Sequence, residues 1–168
     1  MEEVEEAVRQ SSVQWSFLRP GAFMSNALQW ATAIRSDGVV RAPFGEVVMA
    51  PVDARDLASA AACLLIDPDV HAGQTYPITG PHLLTAHEQV EILQGVLGRP
   101  LRFEDVPEAT AREQMGRFVP SEVVEALFTL MRDAREHPDG ALHTVERITG
   151  GTARTFAEWA RDHIDAFR

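Results

Sequence analysis

The sequence has 168 residues, of which 45% are hydrophobic and 24% are charged, and its formal net charge at pH 7 is -10. These values are ordinary for a globular chain and exclude a fibrous or low-complexity protein. The acidic excess, with arginines scattered rather than clustered, also argues against nucleic-acid binding, because a polyanion would be repelled.

The sequence contains a single cysteine, Cys63, within the apolar run 60–66. An intrachain disulfide therefore cannot form, and we expect the thiol to be a small buried group rather than a nucleophile. No apolar stretch reaches the roughly 18 residues that a membrane span needs, and no signal sequence is recognisable. We therefore expect a cytoplasmic protein that has no membrane partner.

The first half of the chain alternates helical and extended patterns. Glutamates followed by a one-sided apolar spacing predict a helix over residues 2–12. β-branched and aromatic residues predict a strand over 13–18, which the turn Arg19-Pro20-Gly21 would end. Helical spacing returns over 22–36. Helix and strand in alternation indicate an α/β fold.

Two apolar-rich runs within residues 39–52 surround Pro43-Phe44-Gly45 and predict a hairpin or two short strands. Asp53 and Asp56 then precede a helical run over 57–66, and we expect both to cap that helix rather than to act in catalysis.

The remainder of the chain is predicted to be mainly helical after one further strand. That strand covers residues 74–80, and Pro77 indicates that it lies at a sheet edge or loses its pairing midway. The predicted segments that follow are a helix from the capping-box pair Thr85 and Glu88 through Val96 to a stop at Gly98, an extended piece at 101–106, helices at 108–118 and 121–136, a loop at 139–151, and a last helix from the capping-box pair Thr155 and Glu158.

The change in pattern near residue 83 predicts two regions that share one core, an α/β region at 1–82 and a mainly helical region at 83–168. A feature of dinucleotide-binding proteins is lacking from the sequence. No glycine-rich turn follows an amino-terminal strand, so the backbone amides that would hold a pyrophosphate at a helix start are not supplied.

Five segments together carry a family resemblance. They are EEVEEAVRQSSVQWSFLRPGAFMSNALQW, APVDARDLASAAA, GQTYPITGP, LTAHEQVEILQGVLGRPLRFEDVP and TFAEWARDHIDAF. In this order and spacing they resemble the NmrA-like group of atypical short-chain dehydrogenases. The resemblance implies an oxidoreductase-type Rossmann fold whose first part binds NAD(P), and it places Met1 late in that plan. We therefore expect the carboxyl-terminal half of such a protein, with an incomplete Rossmann-like portion and a substrate-side helical region.

The resemblance also implies where a small molecule would bind. It places 13–18 as the sixth strand of the sheet, and ligands of open α/β sheets bind beyond the carboxyl ends of strands. The candidate substrate-binding residues are Pro20, Gly21, Ala22, Phe23, Met24 and Asn26, with Tyr76 and His82 as further polar candidates. For Phe23, Met24 and Asn26 the alternative is that they simply begin an amphipathic helix.

Catalytic residues are not identified. Related dehydrogenases carry a Tyr and a Lys before the position of this turn, where the present sequence has glutamates, and its sole tyrosine is Tyr76. The six histidines show no metal-binding spacing, so no metal site is expected, and His82 and His87 are solvated loop residues or, less favoured, general bases.

Three functions therefore stay open. The first is an NAD(P)-dependent oxidoreductase relative whose present residues bind a small organic substrate but no dinucleotide on their own. The second is a cofactor-independent isomerase, cyclase or dehydratase acting on a small apolar substrate, and the third is a non-catalytic binding or regulatory module. Because an exposed strand edge and apolar helix surfaces associate, we expect a homodimer or a complex with a chain that supplies the other half of the sheet.

Overall fold

The structure is a computed structural model that describes residues 2–137 and 140–168, with only the backbone of Glu2. Its elements, in chain order, are α1 (Glu2–Arg9), β1 (Ser16–Pro20), a 3₁₀ segment (Met24–Trp30), α2 (Ala31–Ser36), β2 (Val39–Ala42), α3 (Ala54–Ile66), α4 (Pro68–His71), β3 (Gln74–Ile78), α5 (Ala86–Leu97), β4 (Arg102–Asp105), α6 (Glu108–Met115), α7 (Ser121–Glu136), α8 (Thr144–Thr149), α9 (Phe156–Asp162) and a final 3₁₀ segment (Ile164–Phe167).

Two short parallel sheets organise these helices. β1 pairs with β3 in a register that runs from Ser16 opposite Gln74 to Pro20 opposite Ile78. β2 pairs with β4, with Val39 opposite Arg102. Both pairings are crossovers between strands distant in sequence, with helices in between. The predicted α/β class is therefore confirmed, and parallel pairing agrees with a Rossmann-type arrangement.

The two apolar runs within residues 39–52 do not pair as a hairpin, and only the first run forms one of the two short strands predicted as the alternative. β2 pairs with β4 instead, and the second apolar run forms only isolated bridges, from Met49 to Leu84 and from Phe23 to Val52. The intervening turn leads the chain away from β2, because Phe44 adopts a left-handed conformation with φ of 61°. The backbone N–H of Gly45 then donates to Asp105 of β4 at 3.0 Å, which fixes the turn beside β4.

Several predicted boundaries also need correction. The first strand begins three residues later than predicted, and the helix predicted at 22–36 starts as a 3₁₀ segment before α2. The loop predicted at 139–151 contains α8, in which Thr144 and Val145 are buried. The short helix α8 has little sequence signal of its own. Its burial against α3 and β3 stabilises it. Asp139 lies outside the described residues.

The helix ends follow the sequence more closely. Both predicted capping boxes are confirmed, at Thr85 with Glu88 and at Thr155 with Glu158. Gly98 ends α5 with φ of 66°, in the left-handed region where glycine carries no steric penalty.

The two aspartates at the start of α3, Asp53 before the helix and Asp56 in its first turn, have different roles. Asp53 caps the helix as predicted, accepting from the backbone N–H of Arg55 at 2.8 Å. Asp56 does not cap it. Its carboxylate accepts from the backbone N–H of Arg154 at 2.7 Å and forms an ion pair with the same residue's guanidinium. Asp56 therefore fastens the segment before α9 to α3.

The largest core cluster joins both halves of the chain. It includes Ile34 and Val40 from the first half and Leu93, Trp159 and Phe167 from the second. A second cluster around Val52 and Ile78 lies beneath β1 and β3. Residues 1–82 and 83–168 both contribute to this apolar interior. The division of the chain between residues 82 and 83 stays a prediction.

Candidate functional site

The candidate substrate-binding site lies at the carboxyl end of β1. The chain turns at Gly21 and then runs beside Val52, whose N–H donates to the carbonyl of Ala22 at 2.8 Å. The N–H of Met24 donates in turn to the carbonyl of Val52 at 3.0 Å. These paired bonds hold Ala22 and Phe23 at the carboxyl end of the strand, which is the usual ligand position in an open α/β sheet.

A cavity of about 200 Å³ lies at this strand end and beside the carboxyl end of β2. Its walls come from the 3₁₀ segment, the turn after β2, the start of α5, and the α6 and α7 pair. Most of the wall is apolar. The aromatic and thioether side chains in it are Phe23, Trp30, Phe44, Phe128, Met49, Met115 and Met131. Such a surface suits a small organic molecule.

The polar side chains in the wall are all neutral amides, namely Asn26, Gln29 and Gln89. Gln89 is 8% exposed and lies in the first turn of α5. Among the described residues its side-chain amide has no hydrogen-bond partner, although its backbone N–H donates to Thr85. An amide that has no protein partner and lies in a cavity wall is free to bind water or a ligand.

Trp30 supplies a second unpartnered donor. Its ring lines the cavity and packs edge-on against Phe103 at 6.4 Å between ring centroids. The indole Nε1 is buried and has no hydrogen-bond partner within the described part of the chain. Leaving a buried donor unpaired is unfavourable, so an acceptor that reached it would be stabilised.

The structure separates the eight residues that the sequence suggested for substrate binding. Ala22, Phe23 and Asn26 line the cavity, whereas Pro20 and Gly21 precede them in the chain and are not among its lining residues. Met24 is 1% exposed and packs in the main core instead.

The two remaining candidates lie away from the cavity wall. Tyr76, on β3, packs on the second core cluster, and its hydroxyl is 2.8 Å from Nδ1 of His71. His82 is exposed and is not among the lining residues. The assignment of substrate-binding roles to the eight residues stays a prediction.

Sequence reasoning missed much of the wall. Phe44, Gln89 and Phe128 are separated by more than thirty residues from one another in the chain, and they meet only through the tertiary fold. The apolar spacing of Leu127 and Met131 along α7 was the available signal, because both side chains line the cavity.

Charged residues gather next to the cavity but not in its wall. Phe44 and Val47 are shared with a neighbouring pocket that Glu46, Asp105, Glu108 and Arg135 also line. His87 lies 3.1 Å from Asp105 and 3.3 Å from Glu46, and its ring packs on Phe103. Three carboxylates and one arginine in that pocket make its surface acidic.

A further charged pair, Asp53 with Arg55, lies at the amino terminus of α3. Burial by itself would raise the pKa of Asp53, but the hydrogen bonds from the guanidinium and backbone of Arg55 outweigh it and lower the pKa below its ordinary value. Arg55 also contacts Asp162 at 2.7 Å. Asp53 is thus an ionised structural group.

Five helix starts among the described residues do not offer an open turn to the pyrophosphate of a dinucleotide. The amino termini of α3, α5 and α9 are each filled by a side chain, respectively Asp53, Thr85 and Thr155. Helices α6 and α7 begin after prolines and carry Glu108 and Glu122 in their first turns. Capped or acidic helix starts cannot receive a phosphate as an open glycine-rich turn does.

Within residues 2–137 and 140–168, no group of three or more His, Cys, Asp and Glu side chains could hold a metal ion. Over the same residues, no helix has both the length and the apolar character needed to cross a bilayer.

Parallel strand pairs, flanking helices and a cavity at the carboxyl end of β1 define an α/β protein of the Rossmann type. A model of the NmrA-like family matches residues 2–160, and the chain belongs to that family. The family resemblance drawn from the five sequence segments is therefore confirmed.

Two relatives of the chain are named as reductases. The chain is 44% identical to a (4-alkanoyl-5-oxo-2,5-dihydrofuran-3-yl)methyl phosphate reductase from Streptomyces griseus subsp. griseus, over 98% of this chain and 58% of that protein. It is 39% identical to an NAD(P)H azoreductase from Xenophilus azovorans, with the same coverage of 98% and 58%. The chain thus spans somewhat over half the length of these relatives.

A solved structure shows the same fold. The NADPH-dependent quinone oxidoreductase of Escherichia coli, complexed with NADPH, superposes with a TM-score of 0.81 at 23% identity. The match covers 98% of this chain and 58% of that one.

Proposed function

We propose that these residues form the substrate-binding part of an NAD(P)H-dependent reductase that acts on a small, largely apolar organic molecule. The observation that carries the proposal is the apolar cavity of about 200 Å³ at the carboxyl end of β1. The similarity to a phosphate reductase and to an NAD(P)H azoreductase supports the reductase class. NAD(P)H supplies the hydride in such reductases, and the described residues contribute substrate binding and exclusion of water.

The composition of the cavity wall favours this function over cofactor-independent isomerisation, cyclisation or dehydration. Those reactions need a group that moves a proton at the substrate. The lining residues, all within the described part of the chain, include no Asp, Glu, His, Lys, Arg, Cys or Tyr. The wall therefore offers contact surface and neutral hydrogen-bonding groups.

Partial filling of the cavity tests the proposal. Leu127 of α7 lines the cavity and is 38% exposed, whereas Leu130 of the same helix is 58% exposed and does not line it. In the full natural protein, Leu127→Trp should raise KM for an azo dye or a quinone by about tenfold, since the larger ring occupies substrate volume. NADPH oxidation followed by absorbance measures this effect.

Leu130→Trp is the matched control and should leave KM and kcat within about twofold of the parent values. Equal effects of the two substitutions would place the substrate elsewhere. Absence of NADPH oxidation with every acceptor would exclude the reductase class itself.

We also propose that the open edge of β1 associates, either in a homodimer or with a polypeptide that adds a neighbouring strand. Trp15 accepts from Gly73, and Gly21 donates to Ile78. Because backbone groups alternate in direction along a parallel strand, those of Ser16 and Leu18 point to the opposite edge, where no described strand pairs.

An apolar groove of about 520 Å³ lies beside that edge, between α1, β1 and α3, and it includes Leu65, which is 81% exposed. Sedimentation at micromolar concentrations should show a dimer or a heteromeric complex, and Leu65→Arg should weaken it by at least about tenfold. Leu130→Arg, which changes an exposed leucine outside the groove, should not. A monomer at all concentrations would contradict the association.

A further inference from the structure

We infer that His87 and Asp105 form a clamp that holds the turn 43–47 in place and thereby positions one wall of the cavity. Phe44 of this turn lines the cavity, whereas His87 and Asp105 do not. The inference rests on the proposed function and deepens it, since the clamp sets the affinity for the substrate. Both residues are therefore positioning residues, which act on the substrate through Phe44.

The turn needs external support because its backbone conformation is unfavourable. Phe44 has φ of 61°, in the left-handed region that residues with bulky side chains disfavour. Within the turn, the N–H of Val47 donates to the carbonyl of Phe44 at 3.1 Å. A conformation of this kind persists only where the surrounding structure holds it.

Asp105 and the start of α5 hold the turn from two sides. The Oδ1 of Asp105, at the end of β4, accepts from the backbone N–H of Gly45 at 3.0 Å, and its Oδ2 lies 3.1 Å from Nε2 of His87. On the other side, the carbonyl of Gly45 accepts from the backbone N–H of Ala86 at 3.1 Å. The capping box at Thr85 fixes the first turn of α5, which carries Ala86 and His87. Because both backbone groups of Gly45 are bound, the turn cannot shift without breaking one of these contacts.

The turn and the clamp are in direct contact. A Cβ at Gly45 would lie 2.5 Å from Oδ1 of Asp105 and 2.6 Å from Nε2 of His87. It would also lie 2.6 Å from Cε1 of Phe103, on whose ring the imidazole of His87 packs with 4.4 Å between centroids. Glycine lets the backbone come this close, so a displacement of either clamp side chain is transmitted to the turn.

Phe44 connects the turn to the cavity. Its ring packs edge-on against Phe128 of α7, with 5.2 Å between centroids, and both rings line the cavity. Pro43 and Val47 of the turn line the cavity as well. Release of the turn therefore removes apolar contact from a bound substrate, which weakens binding without removing a group that takes part in the reaction.

The exposure of the clamp limits the size of its effect. The side chain of His87 is 33% exposed and that of Asp105 is 54% exposed. Water can replace part of a lost hydrogen bond at such positions, so we expect a change in affinity of about threefold to tenfold. Glu46 lies 3.3 Å from the same Nε2 of His87, but it is 83% exposed and we expect it to contribute less.

Substitutions in the full natural protein test the effect of the clamp on substrate binding. Asp105→Ala removes the acceptor for Gly45 and the partner of His87, and it should raise KM for an azo dye or a quinone by about three- to tenfold while kcat changes by less than about twofold. Asp105→Asn keeps an oxygen that can accept from Gly45 and should restore KM to within about twofold of the parent value.

Glu104→Ala is the matched control. Glu104 is an exposed carboxylate on the same strand, pairs with Arg41 at 2.9 Å and lies outside the cavity wall. Its removal should leave KM and kcat within about twofold of the parent values.

Hydrogen exchange measures the turn directly and does not depend on catalysis. Peptides that cover residues 43–47 should exchange at least about threefold faster in Asp105→Ala and in His87→Ala than in the parent. Glu104→Ala should leave their exchange unaltered. His87→Gln, whose amide can still donate to Asp105, should bring the exchange rate back towards that of the parent.

Three results would overturn the inference. The first is unchanged exchange in Asp105→Ala, and the second is faster exchange with an unchanged KM, because the turn would then not govern substrate binding. The third is a kcat that falls as far as KM rises, since the pair would then act in the chemistry. Absence of NADPH oxidation by the parent with every acceptor contradicts the reductase proposal instead, and exchange of the turn still decides whether the clamp exists.

Discussion

Gly80→Ala should destabilise the protein by about 3 kcal/mol, the upper part of the range for forcing an atom into a packed interior. A Cβ at Gly80 would lie 1.9 Å from the carbonyl oxygen of Pro51 and 2.8 Å from its carbonyl carbon. Both obstacles are backbone atoms, so a change of side-chain rotamer cannot relieve the clash. Urea unfolding, followed by circular dichroism, would measure the loss in the free energy of unfolding.

The same substitution should also disturb the cavity. The N–H of Gly80 donates to Ala50 at 3.0 Å, and Pro51, which would have to move, lines the cavity wall. Ligand binding should therefore weaken even under conditions where the variant stays folded. This second readout separates a local displacement of the wall from a general loss of stability.

Gly95→Ala is the matched control. Gly95 lies within α5, and a Cβ there would meet nothing within 4 Å. Replacing glycine by alanine in an open helical position should stabilise the protein by about 0.5–1 kcal/mol. If both variants were destabilised alike, the close approach between Gly80 and Pro51 would not be the cause.

The sequence was most informative where a structural device is local. Thr85 with Glu88 and Thr155 with Glu158 are three residues apart, so a pair of residues specifies each helix start without help from distant segments. Ala22, Phe23 and Asn26 were also accessible to sequence reasoning, because all three directly follow one strand.

Features that depend on pairing between distant segments were not predictable. β2 pairs with β4, which lies about sixty residues later, and the competing local hairpin had an equally good pattern. The left-handed turn at Phe44 also carried no signal, since glycine or asparagine is the usual residue for that conformation. The contribution of Gln89 to the cavity depends on the helix rotation that the core imposes.

The packing of helices α6 and α7 against the rest of the protein was likewise not predictable from the local sequence. These helices form a satellite apolar cluster around Ala111, Val124 and Phe128, apart from the two larger clusters. Phe128 connects the pair to the cavity, because its ring packs edge-on against Phe44 at 5.2 Å between centroids. A small cluster joined to the body in this way is prone to local opening.

Phe128→Ala should therefore destabilise the attachment of α6 and α7 by about 3–4 kcal/mol, as expected for a fully buried phenylalanine. The residue is 1% exposed, and the substitution also removes the ring over which the Arg112 guanidinium lies, 4.4 Å from its centroid. Hydrogen exchange detected by mass spectrometry should show faster exchange in α6 and α7, while α5 and α9 keep their protection. In the full natural protein, KM for an azo dye or a quinone should rise by at least about tenfold, because the cavity loses one wall.

Phe118→Ala provides the comparison within the same region. Phe118 is 89% exposed, so its removal should change the free energy of unfolding by no more than about 0.5 kcal/mol and leave exchange unaltered. Faster exchange throughout the protein in Phe128→Ala would show that α6 and α7 unfold together with the body. Exchange confined to these two helices, together with weaker binding, would instead establish that they cover the cavity as a separately opening unit.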